Sequence, residues 1–272
     1  MSELVRRWRE QGLSIGLVPT MGALHEGHAS LIRRARRGND RVVVSIFVNP
    51  AQFGPGEDYA RYPRALSRDL ALCRRCGADA VYHPGVSQVY PEGFSTAVQV
   101  SGLSERLEGK FRPGHFRGVA TVVLKLLETT RPERAYFGEK DYQQLTLVRR
   151  MASDLDLGVA IVGCPTARQP DGLALSSRNA YLSPRERALA PAIHAALVAA
   201  RGLARGGASP KAVERRARAR ILASIPQARV DYVELVDART LRPAERARGR
   251  LRLLAAVWLG KTRLIDNIPV FN

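Results

Sequence analysis

The chain predicts an α/β protein: a doubly wound, Rossmann-like parallel-sheet domain over residues 1–166, followed by a smaller α+β domain over residues 167–272. Two observations carry this. Up to about residue 165, runs that are apolar at successive positions alternate with amphipathic helical stretches, as strands buried on both faces by helices do. Beyond a loop-like TARQPDGLALSSRNAYLSPRE, helices come first and strand-like segments follow together, the order of an α+β unit.

MSELVRRW reads as a first helix. Strands are expected at 13–18, 42–48, 78–82, 135–138 and 159–162, where Val, Ile, Leu and Phe concentrate. Helices are expected between them at 27–37, 65–75, 118–129 and 142–154, from apolar residues recurring at three- and four-residue spacing. In the second domain, one long alanine-rich helix is expected over 184–202 and another over 210–224. RVDYVELV, LRLLAAVWL and TRLIDNI then read as three strands, with a turn at ARGRL.

The 272 residues carry 43 Lys and Arg against 25 Asp and Glu, a formal net charge of +18 and a pI near 10.9. Such an excess suggests a polyanion partner. Yet the basic residues are spread along helices in register with apolar ones, they are nearly all arginine, and no nucleic-acid recognition motif accompanies them. No nucleic acid is expected; small anionic substrates are. No apolar run reaches the roughly 18 residues of a membrane span and the N-terminus has no apolar signal core, which predicts a cytoplasmic protein with no membrane contact. Cys73 and Cys76 form a C-x-x-C with no second half to complete a metal site, and at helical spacing they read as buried on one face.

Three stretches carry chemistry. PTMGALHEGH, residues 19–28, lies where the first strand gives way to a helix, the carboxyl edge at which open parallel sheets bind ligands. Pro19 closes the strand, Gly22 permits a turn, Gly27 allows close approach, and the helix end offers free N–H groups and positive potential to an anion. His25 and His28 stand over that end as neutral donors; HEGH is not the H-E-x-x-H zinc spacing, although a capping role alone also fits. FGEKDYQQL, residues 137–145, opens a helix at a second strand end with Gly138, Lys140 and Gln144. DGLALSSRN, residues 171–179, sets Ser176, Ser177 and Arg178 in a glycine-preceded loop. Together they predict a polyphosphate site.

These stretches, with SIFVNPAQF and RPGHFRGVATVVLKL, stand in an order and at separations that resemble the bacterial pantoate–β-alanine ligases, from about Gly16 to the C-terminal LIDNI. HEGH is similar to the HIGH signature of nucleotidyltransferases, and LSSR to the KMSKS loop. The resemblance implies a two-step ligation: pantoate and ATP give pantoyl adenylate and pyrophosphate, and β-alanine then displaces AMP to give pantothenate. It implies nucleotide contacts from Met21, Gly22, Ala23, Leu24, His25, Glu26, Gly27 and His28, then from Gly138, Glu139, Lys140, Asp141, Ala167, Leu175, Ser176, Ser177 and Arg178. His28 matches the catalytic proton donor, His25 a phosphate partner, and Lys140 and Arg178 the charges about the transition state. Gln52 and Gln144 match the pantoate-binding glutamines, Gln52 also matches the β-alanine contact, and Asn49 is a weaker candidate nearby. Mg²⁺ is implied with ligands unassigned, Asp69 lying near it, and a homodimer and a lid role for the second domain are implied too. The chain departs from the pattern in starting almost directly on the first helix, which leaves one sheet edge missing or differently covered, in Leu175 where methionine is usual, and in its arginine content.

Overall fold

The computed structural model describes residues 1–271, which separate into two compact units: residues 1–139 with 143–165, and residues 140–142 with 166–271. In the first unit α1 (Ser2–Glu10) precedes β1 (Ile15–Thr20), α2 (Glu26–Gly38), β2 (Arg41–Ile46), α3 (Leu66–Arg75) and β3 (Ala80–Tyr82). The short helices α4 (Val86–Val89) and α5 (Glu108–Phe111) lead into α6 (His115–Thr130), β4 (Arg134–Gly138), α7 (Tyr142–Asp154) and β5 (Ala160–Cys164). All neighbouring strands are parallel, in the order β3-β2-β1-β4-β5. This is a doubly wound sheet whose order reverses at β1, between β2 and β4.

The physical cause is legible in β1 and β2. Ile15, Leu17, Val18, Val42, Val43 and Val44 are all fully buried, so neither face is left for polar residues. Against one face α2 lays Ala29, Leu31, Ile32 and Ala35, in a core that also takes Cys73, Cys76 and Cys164. The three cysteines are free thiols, and burial pushes Cys73 up to about 11, so it behaves as a small apolar residue.

In the second unit, β6 (Arg229–Asp237), β7 (Leu251–Leu259) and β8 (Thr262–Pro269) form an antiparallel sheet with β7 in the middle. Its apolar face packs with α9 (Pro191–Arg205) and α10 (Pro210–Ser224) around Ile193, Leu197, Val213, Ile221, Leu235 and Leu253. Two sequence expectations change. The single helix over 184–202 is two, α8 (Pro184–Leu189) and α9, because Pro191 lacks the N–H that would continue the ladder. The first strand also runs past Pro19, which pairs in register with Ser45, so Thr20 rather than Pro19 ends it.

Candidate functional site

Each unit carries its own part of the expected site. In the first, the chain leaves β1 at Thr20, whose hydroxyl donates to Ser45 O at 2.6 Å and accepts from Gly22 N at 3.2 Å. Gly22 and Ala23 both take left-handed backbone, φ 86° and 51°. That conformation is free for glycine and costs an alanine about 1 kcal/mol. Asp69, on the first turn of α3 and 2% exposed, offsets it: Oδ2 accepts from Ala23 N at 2.9 Å and Oδ1 from Leu24 N at 2.8 Å. With both oxygens so engaged, Asp69 is a clamp on the loop.

His25 then caps α2. Its Nδ1 accepts from Gly27 N at 3.1 Å, and His28 Nδ1 accepts from His25 N at 3.3 Å, the reciprocal arrangement of a capping box. The rings lie 4.2 Å apart between centroids. An Nδ1 that accepts an N–H carries no proton, so each neutral ring bears its hydrogen on Nε2. The imidazolium has a proton on both nitrogens and would lose the cap bond. Capping through Nδ1 is therefore compatible with a hydrogen carried on Nε2. Glu26 turns outward to pair with Arg33.

Asn49 is the hub of the second loop. Buried to 1% exposure, it donates to Gln52 Oε1 and to Gly118 O, each at 3.1 Å, and accepts from Tyr90 Oη at 2.7 Å. Gln52 Nε2 reaches Met21 Sδ at 3.0 Å, so the glutamine amide and the loop after β1 are neighbours. Of the paired glutamines on α7, Gln143 is structural: it accepts from Glu108 N and donates to Leu103 O and Arg106 O. Gln144 is left half-buried beside it. Gly138 ends β4 opposite Cys164, and Glu139 follows.

In the second unit, Lys140 Nζ lies 3.5 Å from Asp141 Oδ1, and Lys140 O accepts from Asn267 Nδ2 at 2.8 Å. Asn267 is itself held, its Oδ1 accepting from Arg252 Nε at 2.6 Å, while the Arg252 guanidinium lies 3.8 Å over the Tyr142 ring. Tyr142 Oη donates to Ala238 O at 3.0 Å. The segment with Ala167 and Ser176 is an ordered hairpin: Leu175 N donates to Ala167 O at 2.9 Å, and Gly172 makes the turn at φ 93°. Ser176 Oγ accepts from Arg178 N and caps the short turn Ser177–Tyr181, and Asn179 Nδ2 ties back to Ala174 O. Arg168 grips Asp266 with two bonds of 2.8 Å. Burial works against the Asp266 carboxylate, but His194 and Arg168 outweigh it and hold its pKa below the usual range.

Sequence reasoning named the loops and overlooked what holds them: Asp69 as a clamp, Tyr90, Gln143, Asn267 and a Glu57–Arg112–His115 cluster. RPGH and LIDNI stood among the quoted blocks with no role attached. Among the described residues no group of three or more His, Cys, Asp and Glu is arranged to hold a metal ion. With Asp69 engaged by two amides as well, the side chains do not form a cage for Mg²⁺, an ion that proteins commonly bind through substrate phosphates. No helix among the described residues is long and apolar enough to cross a membrane.

Comparison with known proteins agrees with this layout. The family model described as pantoate-beta-alanine ligase matches residues 1–269. The pantothenate synthetase of Moorella thermoacetica is 55% identical over 260 residues, covering 96% of this chain and 92% of the relative. That of Cereibacter sphaeroides is 56% identical over 266 residues, 98% of this chain and 95% of the relative. The crystal structure of the Thermus thermophilus pantothenate synthetase superposes with a TM-score of 0.93 at 50% identity, covering 98% of each chain. The Francisella tularensis pantoate-beta-alanine ligase, solved in complex with beta-gamma ATP and beta-alanine, superposes with a TM-score of 0.82 at 36% identity, covering 99% of this chain and 95% of that one. By its fold, its site-bearing loops and these relatives together, the chain is an enzyme of the pantoate–β-alanine ligase family.

Proposed function

We propose that the chain condenses pantoate with β-alanine at the expense of ATP through a pantoyl-adenylate intermediate. In the first step a pantoate carboxylate oxygen bonds to the α-phosphorus of ATP, the bond to the bridging oxygen breaks, and pyrophosphate leaves. In the second, the unprotonated amine of β-alanine bonds to the acyl carbon, the acyl–oxygen bond breaks, and AMP leaves as the amine gives up a proton to solvent. The single observation that supports this chemistry is the capping box of α2, which assigns the hydrogens of His25 and His28 to Nε2 at a helix N-terminus. Charge accumulates on the phosphate oxygens during the first step, and a neutral Nε2–H donor stabilises it without an added counterion.

Lys140 and Arg178 supply full positive charge to the phosphates, as a carboxylate nucleophile approaching a polyanion requires. Residues 21–28, Gly138, Glu139, Asp141, Ala167, Leu175, Ser176 and Ser177 bind the nucleotide. Gln52 and Gln144 bind pantoate, whose hydroxyls and carboxylate match an amide that both donates and accepts. The first unit binds pantoate and brings residues 21–28, Gly138 and Glu139 to the nucleotide, the second carries the remaining nucleotide contacts and acts as the lid that keeps water from the adenylate, and the enzyme works as a cytoplasmic homodimer with Mg²⁺ carried on the nucleotide. What supports these assignments is the match of motifs in the family. The deciding assay is AMP formation from ATP with pantoate and β-alanine each omitted in turn; AMP release independent of both would refute the ligation.

A further inference from the structure

Around the main chain of Gln52 lies a polar train that none of the roles above uses. Glu57 grips Arg112 through both carboxylate oxygens, Arg112 Nε to Oε1 at 2.8 Å and Nη2 to Oε2 at 2.6 Å. Arg112 Nη1 lies 3.0 Å from His115 Nε2, and His115 Nδ1 lies 2.8 Å from Gln52 O. The protonation of this train follows from its ends. A carbonyl oxygen only accepts, so Nδ1 carries the hydrogen; a guanidinium only donates, so Nε2 is bare. His115 is therefore neutral and of one tautomer. Burial pushes its pKa down to about 4 and the Arg112 charge pushes the same way, against the Gln52 carbonyl, Glu108 and Glu57. Glu57 itself is worked upward by burial, but its bonds to Arg112 and the arginine charge outweigh that and hold it below the usual carboxylate range.

The train meets a second restraint on the same turn. α6 begins at His115, and one turn on, Gly118 O accepts from Asn49 Nδ2. A Cβ on Gly118 would overlap Ala51 O and lie 2.6 Å from Gln52 N, so the helix backbone lies directly on the 50–52 turn. The first turn of α6 thus holds Gln52 at its carbonyl, through His115, and at its side chain, through Asn49.

We infer that Glu57, Arg112 and His115 are positioning residues for the acid substrate: through one ordered run of hydrogen bonds they fix where the Gln52 amide stands, and so set pantoate binding while leaving nucleotide binding alone. The inference rests on Gln52 being a pantoate residue. Displacing a substrate-holding group by about 1 Å costs up to about a hundredfold.

The test is steady-state kinetics with each substrate varied, on the full chain. His115→Leu removes the shorter of the two bonds to Gln52 O, leaving the 3.4 Å one from Arg112 Nη2; His115→Asn places an amide N–H where Nδ1 stood; Glu57→Gln, at the solvent end of the train, removes the charge while sparing the core. His115→Leu is expected to raise the pantoate KM by about tenfold or more with the ATP KM within about twofold, and His115→Asn to recover most of the loss. Glu57→Gln is expected to raise the pantoate KM by a smaller factor, and it decides the matter if His115→Leu does not fold. An unchanged pantoate KM, an equal rise for both substrates, or no recovery in His115→Asn would overturn the inference. Gln52→Ala separates the two levels: if it leaves the pantoate KM unchanged, the substrate assignment falls and the inference with it. If Gln52→Ala raises that KM and the train variants do not, the inference alone falls.

Discussion

Asp69→Asn tests whether the loop after β1 is held by a carboxylate or merely lies beside one. In the structure both oxygens accept backbone N–H groups, from Ala23 and Leu24, and the side chain is 2% exposed. An amide has one acceptor oxygen, so in either orientation one of the two N–H groups faces an NH₂ donor. The loss is one charge-assisted bond together with one orphaned buried donor, overlapping costs that come to about 2–3 kcal/mol. At about 1.4 kcal/mol per decade this is a factor of about 30 to 150. Ala23 keeps its left-handed backbone at φ 51° only because the loop is over-determined, so the cost is expected in the loop. Pantoate-dependent exchange of pyrophosphate into ATP should fall by that factor in kcat/KM for ATP, with at most a small change in the urea midpoint. A carboxylate that serves Mg²⁺ instead would give a defect that excess Mg²⁺ repairs. Repair by Mg²⁺, or exchange within about twofold of the parent chain, would refute the clamp.

Gly118→Ala drives a Cβ into the Ala51 and Gln52 backbone, neither of which can rotate away, and should lower stability by about 3 kcal/mol, read as a shift in the urea midpoint. His115 is neutral when folded, with a pKa near 4 against an ordinary 6.5. The unfolded chain binds the extra proton first, so stability is complete above about pH 6.5 and drains away as pH falls toward 4, by on the order of 3 kcal/mol. The difference in unfolding free energy between the parent chain and His115→Asn should therefore change across that window and be flat above it. Ser176→Ala combined with Ser177→Ala removes the cap of the 177–181 turn and should slow pyrophosphate exchange; exchange at the parent rate would remove the loop from the first step.

The alternation of buried strands and amphipathic helices was enough to read the sheet, because Val42–Val43–Val44 and its counterparts leave no polar face to place. Edges were less legible. Pro19 looks like a strand end until its register with Ser45 is known, and the break at Pro191 falls inside a run whose apolar spacing continues on both sides. The site divides the same way. Its loops were recognisable as blocks of sequence, whereas the residues that orient them act over 46 positions from Asp69 to Ala23, or 63 from His115 to Gln52, and no local pattern encodes such a pairing. In DYQQL the two glutamines are indistinguishable as letters. Only the partners of Gln143 show that one is spent on structure.

The stretch FGEKDYQQL reads as one motif, yet its packing is divided, with residues 140–142 belonging to the second unit and their neighbours on either side to the first. Energetic kinship therefore departs from adjacency. Lys140 shares a bond with Asn267, 127 positions away, and Tyr142 shares its ring with Arg252. In double-mutant cycles, changes at 142 and 252 belong to one thermodynamic cluster and should be non-additive. For anyone recombining relatives of this chain, position 140 is inherited with β8 and not with the strand that precedes it.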